Sequence, residues 1–191
     1  MAGWCPWAGR GEGRGQAGRA RGRPERVEPV RYNLTMAEEA GPSHWRDRGV
    51  RVIRGGDLDP NTPQTPGMNR AAAIDRARAG AQKLWAGTVK IHPNAKTGAH
   101  HHGDLESIIY VLSGRARMRW GEHLEFTAEA GPGDFIFVPP FVPHQEINAN
   151  PHEPLDCVLV RSGVDPVVVN LDILPVEQPE EVWVDPIHRR P

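Results

Sequence analysis

The 191-residue sequence predicts an all-β fold, a small antiparallel sandwich or closed barrel. Gly and Pro number 21 and 19, a content that favours short strands punctuated by turns over long helices. Short β-rich runs recur at close spacing between residues 83 and 171, which is the pattern of a two-layer β structure. No stretch approaches the roughly 18 consecutive apolar residues of a membrane helix, so a bilayer-spanning reading is excluded and a soluble protein is expected.

Residues 1–35 hold seven Arg and three Glu among many Gly and Pro, with no apolar period that could bury a face. Such a stretch cannot offset its own ordering entropy and is expected to be a disordered tail. Met36 opens a more ordinary sequence and is an alternative start. The tail's excess of positive charge is local, since the whole chain has a formal net charge of −1. That balance gives no case for a nucleic-acid or anionic-membrane partner.

Residues 36–82 read as loops, with turn clusters in GGDLDPNTPQTPG and one short helix expected over NRAAAIDRARAGAQ, residues 69–82, where Gly80 is a natural stop. The barrel is expected over 83–171. Its runs are separated by Pro93-Asn94, Gly103-Asp104, Ser113-Gly114, Gly121, Gly131-Pro132-Gly133 and Asn150-Pro151. In RARMRW, Ala116, Met118 and Trp120 share one face while Arg115, Arg117 and Arg119 share the other, which reads as a solvated face. Residues 172–191 are Pro-rich and extended. Val182, Trp183 and Val184 are too apolar to leave in water, so this tail is expected to pack on the barrel or on a partner subunit. Cys5 lies in the N-terminal tail and Cys157 in an apolar run, a usage that points to a reducing cytoplasm without a structural disulfide.

One stretch, GAHHHGDLESIIYVLSG at residues 98–114, carries chemistry. His100 and His102 are two apart, so on a strand both imidazoles project from one face and can grip one ion. Gly103 and Asp104 then allow a turn, and Glu106 can return a carboxylate to the same point. Farther along, GDFIFVPPFVPHQEIN delivers His144 after a proline-stiffened turn. Three neutral imidazoles and one carboxylate suit a first-row divalent metal, Fe, Mn, Ni or Zn, and leave open positions for water, substrate or dioxygen. Glu146 and Asn148 follow His144 at strand period and share its face, where either can orient a ligand. His101 points away from its neighbours.

These two segments resemble the two motifs of the cupin superfamily. His100-x-His102, three residues and Glu106 fit the first motif, while Gly98 and the closing Gly114 depart from its spacing; Gly133, Pro139, His144 and Asn148 fit the second, with Phe141 where the family has glycine. The resemblance covers about residues 83–171 and implies a small jelly-roll barrel, usually dimeric. Anchoring instead on Tyr110-Val111-Leu112 and Gly114 puts the family glutamate on Ser107. Glu106 is then reached only through a bulge or shifted turn. Alternation from Glu106 turns Ile108 and Tyr110 to the cavity; alternation from Ser107 turns Ile109 and Val111 there. Phe141 in place of glycine is expected to sit in a turn without positive φ, enforced by Pro140 and Pro143.

The resemblance implies a metal-dependent enzyme of dioxygenase, isomerase or lyase type acting on a small molecule. Its ligands are expected to be His100, His102, Glu106 and His144, with Glu146, Tyr110 or His92 as candidate general bases. The alternative is a non-catalytic metal-dependent binding or sensor protein. A small-molecule ligand and a homodimer are the expected partners.

Overall fold

Period-two alternation of apolar residues sets most of the strands, and what it buries is the space between two sheets. The structure is a computed structural model describing residues 46, 49–165 and 167–182. Val50–Pro191 form one compact unit, and of Met1–Gly49 only Arg46 and Gly49 are described. The expectations for the 1–35 tail, Met36, Cys5, Trp183 and Val184 lie outside the described residues.

The strands are β1 (Met68–Ile74), β2 (Leu84–Ile91), β3 (His100–His101), β4 (Ser107–Ser113), β5 (Ala116–Trp120), β6 (Phe126–Ala130), β7 (Phe135–Val138), β8 (His144–Asn148), β9 (Leu155–Ser162), β10 (Val169–Asn170) and β11 (Glu180–Glu181). They form a five-stranded sheet in the order β1-β2-β9-β4-β7 and a six-stranded sheet in the order β10-β3-β8-β5-β6-β11. The pairings are antiparallel except β11 with β6, which is parallel. This is a jelly-roll architecture with almost no helix.

The core lies between the sheets. Val89 and Ile91 from β2, Ile109 and Val111 from β4, and Leu155, Cys157 and Leu159 from β9 meet Ala116 and Met118 from β5. Each fully buried aliphatic side chain there stabilises the fold by about 1.5–3 kcal/mol relative to exposure.

The helix expected over 69–82 is mostly a strand. Residues 68–74 form β1, paired with β2 from Met68↔Ile91 to Ile74↔Ala86, and only Arg76–Ala79 make a helical turn, α1. Asp75 caps that turn by accepting from the Arg78 N–H at 2.6 Å, and Gly80 ends it at φ 71°. Alanine's helix preference is a weak prior, and here a free sheet edge overrides it. The small side chains also allow close approach: a Cβ on Gly87 would lie 2.3 Å from the Ala71 carbonyl oxygen. The five-stranded sheet therefore begins at Met68, ahead of the expected boundary at Lys83.

The described part of the C-terminal segment runs beside the six-stranded sheet. Val176, Glu180 and Val182 donate backbone hydrogen bonds to His123, Glu125 and Thr127, and Arg119 donates to the Val176 carbonyl at 2.7 Å. Arg115 and Arg117 pair with Glu129, which their guanidiniums hold below the usual carboxylate range against the opposing effect of burial. The three arginines are thus occupied by the protein's own acceptors.

Candidate metal centre

Three imidazoles and one carboxylate converge between the sheets. β3 pairs with β8 at His100↔His144, and strand period on β8 turns Glu146 to the same side as His144. His102 follows β3 and is set by the turn at Gly103, whose φ of 62° a residue with a Cβ adopts only with strain. His100, His102, His144 and Glu146 are all buried, and each offers one ligand atom within 4.8 Å of the others.

The backbone fixes how the rings present themselves. Nδ1 of His100 lies 3.0 Å from the Gly98 carbonyl, Nδ1 of His102 lies 2.8 Å from that of Val167, and Nδ1 of His144 lies 2.9 Å from that of Val142. A carbonyl oxygen only accepts, so each Nδ1 carries the proton and each Nε2 keeps a lone pair for the interior. Such anchoring of the far nitrogen is how metal-binding histidines are oriented.

Burial, seconded by Arg161, pushes the His102 imidazole down to about 3. Burial likewise lowers His144, against the opposing pull of Glu146. For Glu146 burial alone would raise the carboxyl, but His100, His144 and Arg70 outweigh it and hold it below its ordinary value. Burial thus disfavours the protonated form of His102 and His144, while the carboxyl of Glu146 is held ionised beside them.

Two of these ligand atoms lack hydrogen-bond partners: His144 Nε2 and Glu146 Oε2 are buried without a hydrogen bond among the described residues, the nearest contact of Glu146 Oε2 in the cluster being His100 Nε2 at 3.7 Å. Buried acceptors left so are rare, and together with the N₃O donor set they fit a divalent cation.

Glu106 is not part of the cluster. It is exposed, and its backbone N–H donates to Ser162 Oγ at 2.9 Å. The inward position belongs to Ser107, 2% exposed, so alternation on β4 runs from Ser107 and buries Ile109 and Val111. No bulge brings Glu106 round: the β4–β9 register shifts between Val111 and Ser113, at the other end of the strand. The carboxylate beside the imidazoles comes from Glu146.

Tyr110 and His92 also lie away from the cluster. Tyr110 points outward, its ring 4.6 Å from that of Phe135, and His92 is exposed. Asn148 shares the β8 face but binds the carbonyls of Ile91, His92 and Glu153 instead of a histidine. His101 accepts from the Gly103 N–H at 2.9 Å.

Phe141 corrects the expected turn geometry. It takes φ 60°, the conformation glycine would supply, and donates its N–H to the Gly103 carbonyl at 2.7 Å. Its exposed ring lies 6.0 Å from His101, next to the loop leading to His144. A hydrogen bond between two site-bearing loops holds a conformation that the residue type disfavours.

Sequence reasoning placed Arg161 on a strand without fixing the face it takes, and the structure turns it inward. The guanidinium is 9% exposed, with Nη2 donating to His102 Nε2 at 3.0 Å and Nε donating to Ser107 Oγ at 3.2 Å. Burial lowers it to about 10, so it stays cationic at neutral pH. The signal was available: Leu155, Cys157 and Leu159 are the buried phase of β9, and Arg161 continues it. Arg70 was hidden by the helical reading. On β1 it lines, with Glu146, Met118 and Leu155, a small, mostly apolar cavity that is partly open to solvent.

The family description Cupin domain matches residues 87–161. Among solved structures, the polyketide cyclase RemF from Streptomyces resistomycificus is similar at 26% identity and TM-score 0.54, over 68% of this chain and 89% of its own. An uncharacterised double-stranded β-helix protein from Klebsiella pneumoniae matches at 18% identity and TM-score 0.50, over 64% of this chain and 98% of its own. A Bacillus subtilis oxalate decarboxylase structure concerned with its Mn(II) centres matches at 20% identity and TM-score 0.50, over 63% of this chain and 35% of that one. No curated protein matches the sequence significantly. With the family match, the two-sheet jelly roll and the inward histidines, residues 87–161 of this chain are a cupin domain.

Proposed function

We propose that this cupin is a metal-dependent enzyme acting on a small molecule, with His100, His102, His144 and Glu146 as ligands to Fe, Mn, Ni or Zn. The observation that carries the reading is the convergence of three imidazoles, each anchored at Nδ1, on a buried carboxylate whose Oε2 has no hydrogen bond among the described residues. A bound metal would supply a Lewis acid, or a carrier for dioxygen. The backbone carbonyls hold the rings in place, and the surrounding apolar residues keep bulk water from competing for the donors. Likeness to a polyketide cyclase, the one cited neighbour above a quarter identity, favours isomerase- or lyase-type chemistry on an oxygen-bearing carbon skeleton over the dioxygenase type.

A second reading, a metal-dependent binding or sensor protein, is favoured by one observation. Tyr110 and His92 lie outside the cluster, which leaves Glu146 as its only carboxylate among the described residues. Incubating metal-loaded protein with candidate ligands separates the readings, since an enzyme releases altered product and a binding protein returns the ligand unchanged. We also propose a homodimer, supported by the apolar outer face of the five-stranded sheet, where Ile108, Leu112, Phe135 and Phe137 are exposed. A cytoplasmic location is supported by Cys157, a free, buried thiol pushed up to about 12 by burial, and no described helix is long and apolar enough to cross a membrane.

The direct test is metal analysis of the native protein beside three variants. His144→Ala and Glu146→Gln are expected to lose stoichiometric metal while remaining folded, and Glu106→Gln to keep it. Equal metal content in all three would overturn the ligand assignment.

A further inference from the structure

Resting on the metal reading above, we infer that the centre receives its small molecule as an oxyanion, a carboxylate or enolate, gripped by Arg161 beside the metal.

The argument begins with one atom claimed twice. Arg161 Nη2 donates to His102 Nε2 at 3.0 Å, and Nε2 is the nitrogen that His102 must offer to a cation, because its Nδ1 is engaged by Val167. Metal and guanidinium cannot both hold that lone pair. Loading the site therefore frees Nη2, while Ser107 Oγ still holds Nε. Nη1 makes no hydrogen bond to the described residues, so the released guanidinium presents two donors side by side. This planar fork matches the two oxygens of a carboxylate.

Charge points the same way. Among the groups facing the cluster, Glu146 is the one anion, while Arg161 and Arg70 are both cations close enough to act on it. A divalent metal added to this set leaves an excess of positive charge in a buried pocket, and uncompensated buried charge is strongly unfavourable. An anionic ligand relieves the excess and satisfies the fork in one step. Ser107, small and inward where a ligating side chain would crowd the space, leaves the guanidinium room to lie there.

Metal and oxyanion should then bind with positive coupling, each tightening the other by the same factor. The test titrates Mn(II) or Zn(II) into the metal-stripped full chain by calorimetry, alone and with formate or benzoate, using formamide and benzamide as neutral counterparts. The expected result is metal affinity raised about 10-fold or more by the anions and unchanged by the amides. Arg161→Met should bind metal alone at least as tightly as the native protein, because a competitor has gone, and lose the anion effect. Should that variant not fold, Arg161→Lys keeps the charge without the fork and is expected to show a reduced anion effect with intact metal binding. Metal affinity indifferent to the anions, or coupling preserved in both variants, overturns the inference while the metal reading stands. Failure of the native protein to bind metal at all sinks both.

Discussion

β8 and β4 face the same interior from opposite sheets and fill it with opposite chemistry. The inward face of β8 carries His144, Glu146 and Asn148, all buried and all polar, whereas that of β4 carries Ser107, Ile109 and Val111. Burying a polar group is costly unless it is partnered, and the loop before β3 supplies partners: Thr97 accepts the Glu146 N–H with its hydroxyl and the Gln145 side chain with its carbonyl. Asn148 meanwhile ties the carbonyls of Ile91, His92 and Glu153 at the end of β8 away from the histidines. β4 needs no such support, but its outward Ile108 and Leu112 are nearly as apolar as its inward residues. One strand therefore announces which way it faces, and the other does not.

The sharpest way to break this contrast is to move a carboxylate. Glu146→Gln on β8 is expected to weaken metal binding at least about 100-fold, the upper end of what losing even an indirect support costs, while Glu106→Gln beside β4 changes it little. Metal titration of the two variants compares them directly.

Stability distinguishes the faces of β4 next. Ile109→Ala, at an inward position 7% exposed, is expected to cost about 2–5 kcal/mol in urea unfolding, and Ile108→Ala, at 43% exposure, less than about 1 kcal/mol. Equal costs would mean that β4 does not hold the register seen here.

Acid should act through the imidazoles. His102 is lowered from 6.5 to about 3, so the unfolded chain binds a proton that the metal-free fold refuses. Stability from this group is complete above pH 6.5 and is lost as pH falls towards 3, by about 2 kcal/mol at pH 5. His102→Asn should flatten that pH dependence in metal-free protein.

The smallest expected effect lies at the edge of the sheet containing β8. Deleting residues 175–191 removes β11 and the acceptor that Val176 offers Arg119, and a melting temperature lower by a few degrees is the expected outcome. An unchanged melting curve would mean that β6 does not depend on this cover.

Much of the site was legible because strand period is a strong constraint. His100-x-His102 and His144-x-Glu146-x-Asn148 each place their side chains on one face whatever the rest of the chain does, and an intervening turn-rich stretch allows the two segments to meet. Arg161 was equally legible in principle, as the next inward residue after Leu155, Cys157 and Leu159. Its facing stayed open in the sequence because its partners Ser107 and His102 come from distant chain.

Local sequence by itself determined which residues share a face: the histidine pair, the polar triad of β8 and the alternating core of β9. Tertiary structure alone decided which carboxylate joins them and whether the alanine-rich stretch is helix or strand. Both decisions turn on pairing between strands far apart in the chain. A one-residue slip on β4 exchanges Glu106 for Ser107 with no change in local hydrophobicity, and a free edge on β2 outweighs the small helical preference of alanine.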